Sequence, residues 1–236
     1  QRIPAHGSQV RNQGMTLNLS KGTTSYQIRS AKTGEGADSD WKEIRRICCE
    51  TGNSGAPIDG ERWRFFGEFW VGPYQALMPE WTWVVDAGGR VAGYLTGCPD
   101  TAHFLAKKRW LFTSRLLFKA CLNSYRWNPD VIRFLKRSFW LERTPEEVFP
   151  KEVIRSCYQE FPAHLHINLD ASLRGSGVGR SLMEWYCERL KANGIPGVHL
   201  FCGKAPLAFY FRCGFTELSR IEYRPGVWVY ALGKKI

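Results

Sequence analysis

A glycine-rich stretch at residues 174–181 carries the clearest chemical signal in the chain. Three glycines within five residues allow a tight turn and let a ligand approach the backbone without meeting a Cβ atom. An amphipathic helical pattern follows, and the start of a helix offers free N–H groups and a positive dipole end to phosphate oxygens. We therefore expect this segment, the glycine loop, to bind a pyrophosphate. Its predicted ligand-binding residues are Arg174, Gly175, Ser176, Gly177, Val178, Gly179, Arg180 and Ser181.

The spacing within the glycine loop separates several phosphate motifs. A Walker loop would need a glycine in place of Arg174 and a lysine in place of Arg180. A dinucleotide fingerprint counted from Gly175 would need its third glycine at Arg180. The pattern that fits is Arg/Gln-x-x-Gly-x-Gly/Ala, on Arg174, Gly177 and Gly179, and it resembles the acetyl-coenzyme A signature of the GNAT N-acetyltransferases.

A second stretch, Ala-Phe-Tyr at residues 208–210 followed by Gly214-Phe215, resembles the other GNAT signature. Many GNAT proteins carry an asparagine near the start of this helix, and the matching place in this chain is Gly203 or a neighbour. Residues 161–167 further resemble the GNAT-like domains associated with O-GlcNAc hydrolases and their stand-alone relatives. The resemblance implies an N-acetyltransferase that uses acetyl-CoA and transfers the acetyl group to a primary amine by direct attack. The alternative is a catalytically inactive GNAT-like module that binds a protein or glycan partner.

Residues 163–170, just before the glycine loop, alternate apolar and polar side chains as a half-buried strand does. Its polar face holds His164, His166, Asn168 and Asp170. A polar face in a central strand is costly unless it is hydrogen-bonded or lines a cavity. Because histidine titrates near pH 6.5, we expect His164 or His166 to act as the general base. GNAT proteins often place a glutamate at this level, so histidine is a departure from the family.

The resemblance implies two further roles. Tyr210 matches a tyrosine that protonates the departing thiolate, and a phenol with a pKa of about 10 keeps its proton at neutral pH. A backbone amide near Asn168 or Leu169 is expected to point at the acetyl carbonyl, because the strand before the glycine loop separates from its neighbour in this family.

The order of elements predicts an α/β (α+β) protein with the GNAT fold, a mixed twisted central sheet flanked by helices. A helix at 41–49 is expected to be capped by Ser39-Asp40, and one at 63–70 to be closed by Gly72-Pro73. Residues 81–85 and 91–96 indicate a hairpin. The remaining predicted elements are strands at 26–29, 198–202 and 226–231, a helix after the glycine loop that ends at Asn193-Gly194, and a helix at 207–212.

We expect one GNAT domain over residues 25–236, behind a flexible segment 1–24, with Met15 as a candidate native start behind vector-derived residues. Residues from about 99 to 150 are longer than a connection between neighbouring strands needs, so we expect a mostly helical insertion. Between positions 104 and 140 it holds nine basic residues, one acidic residue and interleaved aromatics. Three interpretations are open: aromatics packed on the sheet with solvated cations, a wall of the acceptor site, or a nucleic-acid surface.

Composition narrows the class of protein. The 236 residues carry a net charge of +11, and no apolar run approaches the roughly 18 residues of a membrane span. Eight cysteines without a C-x-x-C pair or a secretion signal predict reduced, buried thiols, no metal site and a cytoplasmic location, with the nucleus as an alternative. The expected partners are acetyl-CoA and an amine acceptor that the sequence does not identify. Nucleic acid is the least favoured partner, no membrane is expected, and a homodimer is left open.

Overall fold

The computed structural model describes residues 17–21, 24–34, 38–122, 124–125, 127–138 and 145–236. Eight strands are seen in these ranges: β1 (Leu17–Lys21), β2 (Thr24–Ser30), β3 (Thr82–Ala87), β4 (Arg90–Cys98), β5 (Ala163–Leu169), β6 (Gly197–Cys202), β7 (Thr216–Arg224) and β8 (Val227–Lys235). The α-helices in the same ranges are α1 (Trp41–Glu50), α2 (Trp63–Leu77), α3 (Thr101–Lys107), α4 (Ser114–Cys121), α5 (Pro129–Ser138), α6 (Pro145–Val148), α7 (Lys151–Glu160), α8 (Val178–Ala192) and α9 (Leu207–Arg212).

The strands form one mixed sheet in the order β1-β2-β3-β4-β5-β6-β8-β7. Neighbouring strands pair antiparallel except β5 and β6, which are parallel and joined through α8. The parallel pairing reaches only two register positions, Ala163 with Val198 and His164 with His199. Beyond them β5 continues for five residues without a paired neighbour on that edge among the described residues, and we call this gap the β5–β6 opening.

Helices cover both faces of the sheet, and the alternation along β5 follows from this. His164 and His166 point to the face covered by α2, where they meet Tyr74 and Trp70. Leu169 points to the other face, towards α8. The core between these layers is continuous, and α1 contributes to it through a stripe of buried residues with helical spacing.

The α/β fold and the mixed sheet predicted from the sequence are confirmed, and so is the hairpin, now β3 and β4. The predicted end of the second helix at Gly72-Pro73 is wrong, because α2 runs through Pro73 to Leu77. Proline in a helix interior lacks the N–H for one backbone hydrogen bond. The turn that follows Pro73 nevertheless places Tyr74 in the core, stacked on Phe104 with ring centroids 4.8 Å apart.

Asp40 occupies the N-cap position of α1, as expected, but its carboxylate does not cap the helix. It binds Arg29 and accepts from the Lys32 N–H at 2.7 Å, so it ties β2 to the start of α1. Burial tends to raise the pKa of this carboxyl, but the hydrogen bonds with Arg29 and Lys32 outweigh it and lower the pKa. Ser39 Oγ accepts from the Trp41 N–H at 3.4 Å.

The insertion is mostly helical, as predicted, and contains α3, a π-helical turn over Lys108–Thr113, α4, α5 and α6. It packs on α2 through a small core of its own, in which Phe65 contacts Tyr125 and Phe134. Arg126, Phe139 and Trp140 lie outside the described residues. Residues 17–21 form β1 and pair with β2, so the fold begins no later than Leu17, inside the segment that the sequence predicts to be flexible. The domain limits themselves stay a prediction.

Candidate active site

The β5–β6 opening exposes backbone groups in the middle of the sheet. The Asp170 N–H donates to the Ala92 carbonyl oxygen at 2.8 Å, on the β4 side of the chain. Because successive N–H groups of a strand point to opposite edges, those of Leu169 and Ile167 point into the opening. Among the described residues no strand pairs with this edge of β5 beyond His164. These two amides are therefore free to bind an acyl oxygen.

The glycine loop follows the opening after one 3₁₀ turn over Ala171–Leu173. Gly175 and Gly177 have φ angles of +72° and +85°, a region that costs other residues steric strain. A Cβ atom added at either position would meet no atom within 4 Å, so both glycines face open space. Gly177 is also the N-cap of α8, whose first-turn amides point out of the helix end.

The N–H groups of Gly175, Gly177 and Gly179 have no hydrogen-bond acceptor within the described part of the chain. Ser176 Oγ donates to the Leu173 carbonyl at 2.6 Å and accepts from the Val178 N–H at 3.3 Å, which holds the loop in place. Three unpaired amides beside a helix start form a site for an anion, and a pyrophosphate fits the donor set.

Gly179 serves a different purpose, because it lies in the helix with an ordinary backbone conformation. A Cβ atom at this position would stand 2.8 Å from Leu169 Cδ1 and 3.3 Å from Phe209 Cε2. Its absence lets β5, α8 and α9 meet next to the opening. The glycine loop, the opening and the helix that carries Tyr210 are therefore packed against one another.

The two arginines of the glycine loop have partners of their own. Arg174 donates to the carbonyl oxygen of Gly55, in the loop after α1. Arg180 pairs with Glu184 one turn along α8 at 2.8 Å, and both side chains are exposed. Ser181 Oγ lies 3.5 Å from the Gly177 carbonyl oxygen. The backbone amides are therefore the more direct hydrogen-bond donors to an anion in this loop.

His164 sits in a closed polar network in the core. Its Nε2 lies 2.8 Å from Tyr74 Oη, and its Nδ1 lies 2.8 Å from Thr101 Oγ1 and 3.1 Å from Cys98 Sγ. Thr101 donates to the Pro162 carbonyl at 2.7 Å. Burial raises the pKa of the Cys98 thiol to about 12 and lowers that of His164 well below its usual value. Both ring nitrogens are engaged, so the imidazole is a neutral, structural group.

His166 is half-buried and has one nitrogen without a partner. The Asn168 amide nitrogen donates to His166 Nε2 at 3.3 Å and to Tyr94 Oη at 3.0 Å. The imidazole lies against Trp70 and Tyr94, with ring centroids 5.9 and 5.8 Å away, while its Nδ1 has no hydrogen-bond partner in the described residues. Burial, reinforced by the charge of Lys108, lowers the pKa of His166 to about 4.

Tyr210 lies in the first turns of α9, half-buried between Phe209 and Phe215. Its hydroxyl makes no hydrogen bond with any described residue, while burial raises the pKa of the phenol above its ordinary value. A raised pKa keeps the proton on the oxygen at neutral pH. The hydroxyl is thus a proton donor without an acceptor in the described part of the chain.

Asp170 closes the polar face of β5 and fixes the start of the glycine loop. Its carboxylate accepts from Arg90 at 3.0 Å and lies 3.6 Å from Arg46 Nη1. Within the part of the chain that the structure describes, no group of three His, Cys, Asp or Glu side chains could hold a metal ion. All eight cysteines lie in that part and are free thiols.

Three aromatic residues at this site have no counterpart in the sequence-based prediction: Trp70, Tyr74 and Tyr94. Tyr94 stands opposite Asn168 in the β4–β5 register, which the hairpin alone does not define. Trp70 and Tyr74 are four residues apart on one face of α2, so the helical period of residues 63–77 is the signal that could have paired them.

The fold defined by this sheet and its opening is the GNAT fold. No protein-family model matches the chain. A crystal structure of SsHAT is 28% identical with a TM-score of 0.63, over 89% of this chain and 98% of that one. Ard1 from Thermoplasma volcanium is 14% identical with a TM-score of 0.51, over 89% and 97% of the two chains. A structure described as an acetyltransferase is 19% identical with a TM-score of 0.52, over 89% and 98%.

Proposed function

We propose that the protein is a GNAT-type N-acetyltransferase that transfers an acetyl group from acetyl-CoA to a primary amine. The observation that carries this proposal is the β5–β6 opening, which leaves the Leu169 amide free one 3₁₀ turn before the unpaired amides of the glycine loop. A thioester and a pyrophosphate are the two parts of acetyl-CoA that need such donors. The SsHAT and acetyltransferase structures support the fold on which this rests.

Acetyl-CoA, when bound, supplies an activated thioester. The protein therefore has to position the two substrates, polarise the acyl carbonyl and move protons. The amides of Gly175, Gly177 and Gly179 would hold the pyrophosphate. The Leu169 N–H, and the Ile167 N–H beside it, would donate to the acyl oxygen as negative charge develops on it. Asn168 is assigned a supporting role, because its amide group orients His166 and its neighbour's backbone forms the donor.

His166 is the general base of this proposal, and His164 is a positioning residue, because both of its nitrogens are engaged. Exchanging the oxygen and nitrogen of the Asn168 amide keeps both of its distances. Tyr94 Oη and His166 Nε2 then become donors, and the buried Nδ1 of His166 is left with a bare lone pair. With a pKa of about 4, the ring is neutral at physiological pH and would hold the amine proton only transiently.

Tyr210 is the general acid. Its hydroxyl keeps its proton at neutral pH and would give it to the sulfur as the carbon–sulfur bond breaks. The base on β5 and the acid on α9 belong to different elements, so the two proton transfers do not compete for one group. Proton exchange with solvent restores both side chains.

The proposed acceptor is a primary amine, and the assay described below identifies its class. The exposed ring of Trp70 beside His166 favours an acceptor with an apolar portion next to its amine. The likeness of residues 161–167 to domains associated with O-GlcNAc hydrolases stays a prediction, as does the cytoplasmic location. No helix among the described residues is long and apolar enough to cross a membrane.

The test is thiol release from acetyl-CoA in the presence of amines of four classes: lysine peptides, peptide N-termini, amino sugars and polyamines. We expect thiol release that depends on one class, with a product heavier by one acetyl group in mass spectrometry. Acetyl-CoA binding without thiol release for any amine would contradict catalysis and leave the inactive binding module. His166→Gln, compared with His103→Gln at an exposed position on α3, should separate the base from a general histidine effect.

A further inference from the structure

A groove between α1, α2 and α4 adjoins the site described above and shares Arg46 with it. It has a volume of about 660 Å³ and is lined by six cations and two carboxylates, which leaves an excess of four positive charges. Both carboxylates are already paired, Glu43 with Arg46 and Glu68 with Lys119. We call this feature the basic groove. Its cations are Lys42, Arg45, Arg46, Arg64, Arg115 and Lys119.

Four of these cations make no ion pair with a residue that the structure describes. Within the described ranges no carboxylate lies within 4.0 Å of Lys42, Arg45, Arg64 or Arg115. Arg45 donates to the Gln75 amide oxygen and the Trp41 carbonyl, and Arg64 lies over the Tyr125 ring. Unpaired charge of one sign in a concave surface focuses the electric field and attracts anions.

An exposed apolar surface borders the basic groove on the same helical segment. Trp110, Leu111, Phe118 and Leu122 expose 79%, 64%, 66% and 62% of their surface, and we call them the apolar stripe. Phe118 and Leu122 are four residues apart along α4 and share a face, and Trp110 and Leu111 lie on the π-helical turn that leads into α4. Large apolar side chains gathered on one exposed face mark an interaction site.

The groove and the stripe meet at α4. Arg115 lines the groove and is four residues after Leu111 and three before Phe118, while Lys119 follows Phe118 directly. Residues 101–122 hold five lysines and arginines and no aspartate or glutamate. Trp, Phe and Leu on one face with Lys and Arg beside them are typical of helices that bind the surface of anionic membranes.

We propose that the basic groove and the apolar stripe together bind the surface of an anionic lipid bilayer. The groove receives phosphate-bearing head groups, and the stripe enters the boundary between head groups and acyl chains. The sequence predicts no membrane partner because no segment is long enough to span a bilayer, but surface binding needs no spanning segment.

Two other occupants fit less well. Single-stranded nucleic acid is bound through stacking on aromatic rings, and half of the apolar stripe, Leu111 and Leu122, adds no ring to Trp110 and Phe118. A second copy of the chain would meet this surface with its own copy in a twofold dimer and would bring two basic grooves together. An anionic bilayer satisfies both the charge and the apolar area.

The experiment measures binding of the whole protein to phosphatidylcholine vesicles with and without phosphatidylserine, by flotation. We expect binding only with phosphatidylserine. Phe118→Ser with Leu122→Ser should weaken it about tenfold or more, since two apolar side chains no longer enter the bilayer. Lys42→Glu should weaken it by at least about fivefold, because one cation near an anionic surface contributes about that factor.

Matched controls come from other exposed positions. Val227→Ser with Trp228→Ser, at the β7–β8 turn, and Lys151→Glu, at the start of α7, should leave vesicle binding unchanged. All these side chains lie at the surface, so thermal unfolding midpoints should stay at the wild-type value and show that each variant is folded.

Four results would overturn the proposal. One is the absence of binding to phosphatidylserine vesicles, and another is equal binding by the Phe118/Leu122 variant and its control. The third is a different occupant, shown by oligonucleotide binding or by lipid-free dimerisation that is lost in the Phe118/Leu122 variant. Binding to pure phosphatidylcholine with equal strength would likewise contradict the role of the groove.

Discussion

The half-buried position of His166 has a consequence for stability that can be worked out from its pKa. Folding lowers this pKa from 6.5 to about 4, chiefly through burial. The unfolded chain therefore takes up the proton at a higher pH than the folded one, and acidification favours unfolding across that interval. A shift of this size corresponds to about 3 kcal/mol of unfolding free energy, all of which is lost below pH 4. About 2 kcal/mol of it is lost between pH 7.5 and 5.

The assay is urea unfolding of the wild type, His166→Gln and His103→Gln at both pH values. The measured quantity is the loss of unfolding free energy between the two pH values, not the absolute stability of each variant. We expect His166→Gln to lose about 2 kcal/mol less than the wild type, since it has no imidazole to protonate. His103 is exposed on α3, so His103→Gln should follow the wild type.

An identical loss in the wild type and in His166→Gln would refute the reasoning, because the imidazole would then titrate alike in the folded and unfolded chains. Nuclear magnetic resonance titration of the same histidine gives a direct check. The same pKa also moves the expected rise of turnover with pH. The sequence predicts this rise in the ordinary histidine range, whereas the structure places the part due to His166 near pH 4.

Two further predictions concern Tyr210 and the packing of Gly97 against Tyr186. Tyr210→Phe removes only the donor hydroxyl, so turnover should fall by about 10² to 10⁴ while acetyl-CoA affinity stays unchanged. The control, Tyr26→Phe on β2, should change neither quantity. Full turnover in Tyr210→Phe, with chemistry rate-limiting, would make that tyrosine structural. Gly97→Ala should lower the free energy of unfolding by about 1–3 kcal/mol in urea, because the added Cβ would stand 2.4 Å from the Tyr186 hydroxyl. An unchanged urea midpoint would show that the packing between β4 and α8 is looser than described.

The local parts of the site could be predicted from the sequence. Gly175 and Gly177 signal left-handed backbone, and the apolar pattern after them signals the helix that they precede. Strict alternation over residues 163–169 places His164 and His166 on one face, and the structure agrees. These features depend on a few consecutive residues, so no knowledge of distant contacts is needed.

The parts that depend on distant contacts could not be predicted. The two histidines differ because Tyr74 and Thr101 reach His164, whereas Trp70 only packs against His166. Tyr74 could not be placed in the core, because Pro73 predicts the end of a helix that in fact continues to Leu77. The β5–β6 opening is likewise a property of pairing between strands that α8 separates, and no single strand encodes where such pairing stops.

The binding of acetyl-CoA to the glycine loop is the central claim, and isothermal titration calorimetry tests it directly. Gly177→Asn places a side chain in the open space of the loop, and Gly194→Asn makes the same change at the other end of α8. Both glycines have positive φ, of +85° and +69°, and neither has an atom within 4 Å of an added Cβ, so the backbone cost is matched. Asparagine tolerates this conformation better than most residues.

We predict that acetyl-CoA binds the wild type and Gly194→Asn with equal affinity and binds Gly177→Asn at least about tenfold more weakly, a loss of about 1.4 kcal/mol. Equal affinity for all three proteins, or no binding by the wild type, would contradict the account.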